Sequence, residues 1–209
     1  MRRALEDADR LGLPGMVGFA LSNLGALLVT SGALAEARSV LERSLEMAKL
    51  HCDRRMDSAS RIYLSIAHRL EGRSDEASRL VRGVVDQTEG APPLQTYALA
   101  ALAQALLAGG DMSGALEAAL RARDLLVRLG NIDDGESMVR VTLAEVLLAT
   151  GDADGARQAI RDARTRLLAQ AENITRPAWR ESFLERVPVH TRTMALAKEW
   201  IGPRERFTP

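Results

Sequence analysis

A chain of 209 residues in which 28 Lys and Arg offset 28 Asp and Glu carries no net charge, so no excess of charge draws it to a nucleic-acid backbone or an anionic membrane surface. Hydrophobic residues make up 46% but aromatics only 3%, and an interior left to Leu, Ala, Val and Ile is one that close-packed helices use. The single cysteine, Cys52, excludes an internal disulfide and cannot hold zinc alone, which leaves a helix-end thiol with no special role.

The first residues, Met1-Arg2-Arg3, lead into a charged amphipathic helix instead of a signal-peptide core, and no run of about eighteen apolar residues occurs. The expected location is cytoplasmic. Ala4, Leu5, Ala8 and Leu11 share one stripe of that helix, and Arg10-Leu11-Gly12 echoes Arg128-Leu129-Gly130 further on. The segment 1–12 therefore reads as the second helix of a repeat that has no first helix. Either it is a natural cap, or the chain is cut or descended from a longer one with more repeats upstream.

One frame then recurs four times: a leucine followed by a small residue, a glycine seven residues later and an alanine five beyond it. The copies are Leu24-Gly25 with Gly32 and Ala37, Leu64-Ser65 with Gly72 and Ala77, Leu102-Ala103 with Gly110 and Ala115, and Leu143-Ala144 with Gly151 and Ala156. Glycines spaced by 40, 38 and 41 residues describe stacked helical hairpins, not one core folded around a catalytic pocket. In three of the first helices leucines recur at i and i+4, at Leu24 and Leu28, Leu102 and Leu106, and Leu143 and Leu147, and so share a face. The small residue beside them lets the second helix approach closely. Ala37, Ala77, Ala115 and Ala156 repeat that logic from the other helix, with Leu41, Val81, Ala119 and Ile160 one turn later.

At the turns, glycine suits a left-handed helix end and the aspartates that follow, Asp111 and Asp152, suit N-caps, with Ser74 and Asp75 offering the same chemistry after Gly72. The Asp152-x-Asp154 pair is too short a loop for calcium and lacks the downstream glutamate.

The frame resembles the tetratricopeptide repeat (TPR), as in Leu21-x2-Leu24-Gly25-x2-Leu28 with Ala37-x3-Leu41, and in Leu99-x2-Leu102-Ala103-x2-Leu106 with Ala115-x3-Ala119. The resemblance implies an all-α fold, a right-handed superhelical array of α-α hairpins. It covers a half repeat at 1–12 and repeats at about 14–52, 55–90, 93–130 and 133–174. Three departures stand out: repeats longer than the family's usual length, no closing proline, and Arg61, His68 and Arg140 where large apolar residues are usual.

From Asn173 the frame breaks, and residues 175–209 are expected to form capping helices and a tail. Pro177 suits the first turn of a helix through Trp179, Phe183 and Val187, Pro188 a break before a last helix through Thr193, Leu196, Ala197 and Trp200, and Gly202-Pro203 a stop. Trp179, Phe183 and Trp200 are expected to pack as a cap over the last repeat. The string Arg180-Glu181-Ser182-Phe183-Leu184-Glu185-Arg186-Val187-Pro188, with Arg192 to Ala197 and Trp200-Ile201-Gly202, resembles the closing segment of large bacterial signalling proteins of the kinase or ATPase type. That resemblance implies a C-terminal docking or sensor module whose enzyme lies elsewhere.

The TPR resemblance also implies a concave groove lined by the first helices. It would present Phe19, Ser22, Ala26 and Val29, then Ile62, Ile66 and Arg69, then Tyr97, Ala100, Gln104 and Leu107, and last Met138, Val141, Glu145 and Leu148. Because most are apolar, and the Lys and Asn of a carboxylate clamp are missing, the expected ligand is an apolar or amphipathic helical segment of a protein partner. In a tightly wound array the same residues would instead pack against neighbouring helices.

Catalytic motifs are missing. His51, His68 and His190 lie on separate elements, and no metalloprotease HExxH, phosphate-binding loop or nucleophile elbow occurs. The chain therefore reads as a non-catalytic interaction scaffold with no cofactor, no metal and no nucleic-acid or membrane partner. The alternative is a structural element that forms a homo-oligomer through the incomplete first repeat.

Overall fold

The computed structural model describes residues 2–202, so Met1 and Pro203 of the expected terminal elements lie outside the described residues. Within that span eleven α-helices follow one another: α1 (Arg2–Arg10), α2 (Pro14–Thr30), α3 (Leu34–Leu50), α4 (Arg54–Leu70), α5 (Ser74–Gln87), α6 (Pro92–Ala108), α7 (Met112–Leu129), α8 (Glu136–Ala149), α9 (Ala153–Glu172), α10 (Pro177–Glu185) and α11 (Pro188–Ile201). The expected all-α hairpin array with a helical C-terminal end is the observed fold.

Six of the helix ends are built alike. The turn residue has a positive φ at Gly12, Gly32, Cys52, Gly72, Gly110 and Gly151. The next amide then reaches back to the carbonyl five residues earlier: Leu13 to Ala8, Ala33 to Leu28, Asp53 to Ala48, Arg73 to His68, Asp111 to Leu106 and Asp152 to Leu147, at 2.9–3.0 Å. This bond satisfies a carbonyl that the helix end would leave open, and it requires the left-handed residue just before it. Five of the six positions are glycine. Cys52 has the same conformation with φ 54°, so its sequence role is a turn position occupied by a residue that pays a steric cost there.

Asp53, Asp111 and Asp152 then cap the following helices, accepting from the amides of Met56, Gly114 and Gly155 at 2.8–2.9 Å. Ser74 and Asp75 do not cap α5. That helix begins at Ser74 itself, with Arg73 at the cap position and no side chain accepting from the first amides of the helix.

Small residues set the spacing within each hairpin. Ala37, Ala77, Ala115, Ala156, Ala103 and Ala144 are fully buried, and Ser65 nearly so. A methyl group added at Gly25 would overlap the side chain of Leu41, which is itself fully buried in the core. Two helices that touch through such notches leave no room for a larger residue on either side.

Successive hairpins stack unevenly. The first helices α2, α4, α6 and α8 pack one on the next, whereas their second helices α3, α5, α7 and α9 make no comparable contacts with each other. The first helices thus form a tight inner row and the second helices a spread outer row, which is what curves the array. Helix α11 packs against α8 and α9, as α8 packs against α6 and α7, so it extends the inner row by one member where the repeat frame had seemed to end.

The C-terminal expectations need two corrections. Helix α10 stops at Glu185 and Val187 caps α11 instead of continuing α10, because Pro188 occupies the first turn of α11 and holds its predecessor extended. Trp179 does not pack in a cap: it is 61% exposed, with the Arg176 guanidinium 4.4 Å over its ring. Phe183 lies against His190 with ring centroids 4.2 Å apart, and Trp200 packs against the small core of Val141, Ala144, Ile160, Ala163, Leu196 and Ala197.

Two substitutions test this account by urea unfolding. Gly25→Val is expected to destabilise the fold by roughly 1–3 kcal/mol through overpacking against Leu41. Cys52→Gly is expected to stabilise it by about 1 kcal/mol, by relieving the left-handed strain.

Candidate functional site on the inner row of helices

The tightness of the inner row decides which expected groove residues reach a surface. Ser22, Val29, Ile62, Ile66, Tyr97 and Val141 are buried, and Ala100 fully so. They are core contacts between neighbouring inner helices, a correction to their expected place as ligand contacts. Ser22 joins a buried hydroxyl chain, receiving a bond from Ser60, whose oxygen lies 3.0 Å from that of Ser44; Ser44 in turn donates to the carbonyl of Gly18. Phe19 and Leu148 are exposed, at 60% and 42%, while Ala26, Arg69, Gln104, Leu107, Met138 and Glu145 are half-buried.

Part of the inner surface is covered by the chain's own loop. The segment between α7 and α8 folds inward, burying Ile132 in the core. There the Tyr63 hydroxyl donates to the Asp134 carboxylate, and Gly135 lies so close over the Tyr97 ring that a side chain would overlap it. The two tyrosine rings meet edge to face, 5.8 Å between centroids. Burial, reinforced by the Asp134 charge and its hydrogen bond, pushes the Tyr63 hydroxyl above its ordinary titration range, and burial does the same to Tyr97. Nothing in the hydrophobic periodicity marked this loop; its length, longer than any other connection between the described helices, was the available signal.

What stays accessible is a polar strip across α4, α6, α8 and α11. Arg69 on α4 is half-buried; burial pushes its guanidinium down and the Glu145 charge partly offsets this. Glu145 on α8 accepts from Arg192 Nε of α11 at 2.8 Å. Gln104 lies on α6 between them in the row. Arg69 Nε, a donor, and Gln104 Oε1, an acceptor, are both buried without a hydrogen-bond partner, and buried polar atoms in that state are uncommon. Leu107 and Leu148 are among the half-buried or exposed apolar residues on the same helices.

A separate recess lies elsewhere. An open hollow of about 680 Å³ between α3, α4 and the end of α5 is lined by Lys49, Asp53, Arg54, Asp57 and Arg61 among others. Its charges are of both signs, and Asp53 and Arg61 are already engaged, the first as a helix cap and the second with Asp57 at 2.7 Å. Among the described residues no cluster of three or more His, Cys, Asp or Glu could hold a metal ion, and no helix is long and apolar enough to cross a membrane.

Fold and inner row together define a helical-hairpin repeat solenoid. The tetratricopeptide repeat model matches residues 18–43, 58–82 and 137–162, that is, the α2–α3, α4–α5 and α8–α9 hairpins; repeats of that family generally mediate interactions between proteins. No curated protein matches the chain. Solved structures do. The nearly identical TPR-like repeats assigned to a kinesin light chain of Podosopora anserina are 17% identical, with 87% of this chain and 89% of that one covered and a TM-score of 0.57. BtubC (BKLC) from P. vanneervenii is 18% identical over 100% of this chain and 93% of its own, with a TM-score of 0.64. At such identities the likeness is one of fold.

The three departures from the repeat's apolar pattern each lie beside a carboxylate. Arg61 binds Asp57, and His68 Nδ1 lies 3.5 Å from Glu76, its imidazole held below the usual range by burial and then by Arg73, against the pull of Glu76 and Glu71. Arg140 Nε donates to Glu136 at 2.9 Å. Glu136 is the hub of this last group: its side chain is 5% exposed and also accepts two bonds from Arg166 and one from Gln170 of α9. Burial alone would raise its carboxyl, but the bonds from Arg166 and Arg140 outweigh that and hold it below the ordinary value. A carboxyl depressed by folding contributes stability that is complete above its unfolded value and lost as pH falls through its folded one. Glu136→Gln is therefore expected to destabilise the protein by roughly 1–3 kcal/mol at neutral pH. In chemical unfolding repeated at successively lower pH, the gap between wild type and variant should stay constant above the ordinary glutamate value and close only as the pH falls through the depressed folded one.

Proposed function

We propose that this protein is a non-catalytic scaffold that binds a segment of a protein partner across the polar strip of its inner row. The observation that carries this reading is the orphaned pair Arg69 Nε and Gln104 Oε1. One donor and one acceptor, each without a hydrogen-bond partner in the protein, match a ligand that supplies an acceptor and a donor of its own, as a main-chain or side-chain amide does. Leu107 and Leu148 give the same ligand an apolar footing, so the segment is amphipathic, with its apolar side on those leucines and its polar side toward Arg69, Gln104 and Glu145.

The resemblance of Arg180–Pro188 and the segment after it to the closing part of large bacterial signalling proteins supports placing the scaffold as a docking or sensor module of such a system. The tetratricopeptide repeats agree with a partner that is a protein.

The test is a selection of displayed random peptides against the wild type and against Arg69→Ala/Gln104→Ala, with far-ultraviolet circular dichroism to establish that both are folded. Peptides retained by the wild type and lost by the double variant, and weakened again by Leu148→Glu, are the expected result. Enrichment of no peptide, or equal retention by a folded double variant, would remove the strip as the binding site.

A further inference from the structure

The second and fourth hairpins carry the same ion pair at the same place in the repeat. Where the first and third inner helices have the buried Leu21 and Leu99, α4 has Arg61 and α8 has Arg140. Each arginine donates through Nε to the carboxylate one turn earlier, Arg61 to Asp57 at 2.7 Å and Arg140 to Glu136 at 2.9 Å. A leucine at this place is absorbed by the core; an arginine needs its counter-ion beside it.

The two pairs differ in a third member. In the fourth hairpin α9 supplies Arg166, whose Nε and Nη2 donate to both oxygens of Glu136, and the Glu136 side chain is left 5% exposed. In the second hairpin the residue at the place of Arg166 is Gln87 of α5, which is exposed and whose side chain makes no hydrogen bond with the described residues. Asp57 is also one methylene shorter than Glu136. Its side chain stays 24% exposed; Arg61 takes Oδ2, and Oδ1 accepts nothing from the described residues. The open hollow of about 680 Å³ lies at this spot, with Asp57, Arg61 and Gln87 in its lining. Its volume is that of an ordinary small-molecule site, ~300–1,000 Å³.

We infer that this hollow is a guanidinium site, taking an arginine, free or within a peptide, in the place that Arg166 fills from inside the fourth hairpin. The chain itself displays the chemistry. One carboxylate at this place holds two guanidiniums at once, the arginine one turn on and a second that meets it with two N–H donors. Asp57 has the first and lacks the second. The remaining lining suits the rest of the ligand. Glu46, Asp53 and Asp57 balance Lys49, Arg54 and Arg61, so an incoming guanidinium meets no net positive charge. Glu46, Lys49 and Arg54 have no ion-pair partner among the described residues, which leaves an acceptor for an amino group and two donors for a carboxylate or carbonyl. Leu45 and Ala48 offer apolar wall to the methylene stem. Affinity is weak, on the order of a millimolar, because the ions stay partly in water. The hollow shares no residue with the polar strip, and the inference does not rest on ligand binding there.

Nuclear magnetic resonance of the ¹⁵N-labelled full chain, titrated at constant ionic strength with L-arginine, Nα-acetyl-L-arginine amide and L-citrulline, tests it. Saturable shifts of the Asp57, Ser58, Arg61 and Gln87 amides with arginine, and none with the uncharged citrulline, are the expected result. A response to the blocked amide as well assigns arginine within a peptide as a ligand; a response confined to the free amino acid assigns a site that also holds the α-ammonium and α-carboxylate. Asp57→Asn is expected to weaken binding about fivefold or more. Gln87→Arg, at an exposed position in the last turn of α5 where folding is tolerant, is expected to fill the hollow from within, as Arg166 does, and to abolish binding. Circular dichroism establishes that both variants are folded. No saturable shift at these amides, citrulline binding as arginine does, or a folded Asp57→Asn or Gln87→Arg that binds arginine as the wild type does would each overturn the inference.

Discussion

Everything in this molecule depends on how closely its helices approach. Gly25 under Leu41, and the fully buried alanines at the matching positions of the later hairpins, let paired helices touch almost backbone to backbone. Close pairs in turn allow α2, α4, α6 and α8 to pack directly on one another, while the outer helices fan apart. Curvature follows from that difference in spacing. So does the loss of most of the expected groove, because inner helices that touch bury the residues that would have lined it.

The consequence for binding is a site made of leftovers. Where apolar side chains meet across the inner row they are consumed as core; only groups too long or too polar to be absorbed, such as Arg69, Gln104 and Glu145, stay at its surface. Desolvation makes the two orphaned atoms expensive, and under the function proposed above that cost is what a ligand with complementary groups would relieve. The inward loop that carries Asp134 works the other way. It satisfies Tyr63 and seals Tyr97, closing the neighbouring part of the same surface with the chain's own residues.

Sequence periodicity made the helices, their turns and their pairing legible, because glycines in left-handed turns and small residues at contacts are local requirements with local signatures. Placement of Asp111 and Asp152 as caps was legible for the same reason, but the capping role of Asp53 was passed over because it follows a cysteine and not a glycine. The groove was much less legible. Whether Ile62 or Val141 faces a ligand or a neighbouring helix depends on the spacing between hairpins, a long-range quantity that no single repeat encodes. The role of Glu136 was hidden likewise, since its arginine partner on α9 is thirty residues away. Helix α11 escaped notice as a further inner helix because proline-led α10 interrupts the period, although its packing restores it.

The turns carry one further implication. Gly12, Gly32, Cys52 and Gly72 stand twenty residues apart, so the junction leading into an outer helix and the junction leading out of it share one left-handed turn and one backbone bond. Local signals in the first half of the chain therefore define a helix-plus-turn module but do not say whether a given module belongs inside or outside the curve. That distinction rests on side-chain bulk alone. An evolutionary duplication or deletion of one module would keep every cap and turn intact yet exchange inner and outer faces for all that follows, whereas a change by two modules would leave the superhelix in phase. Growth and shrinkage of such a chain are thus constrained to even steps, by packing and not by the backbone.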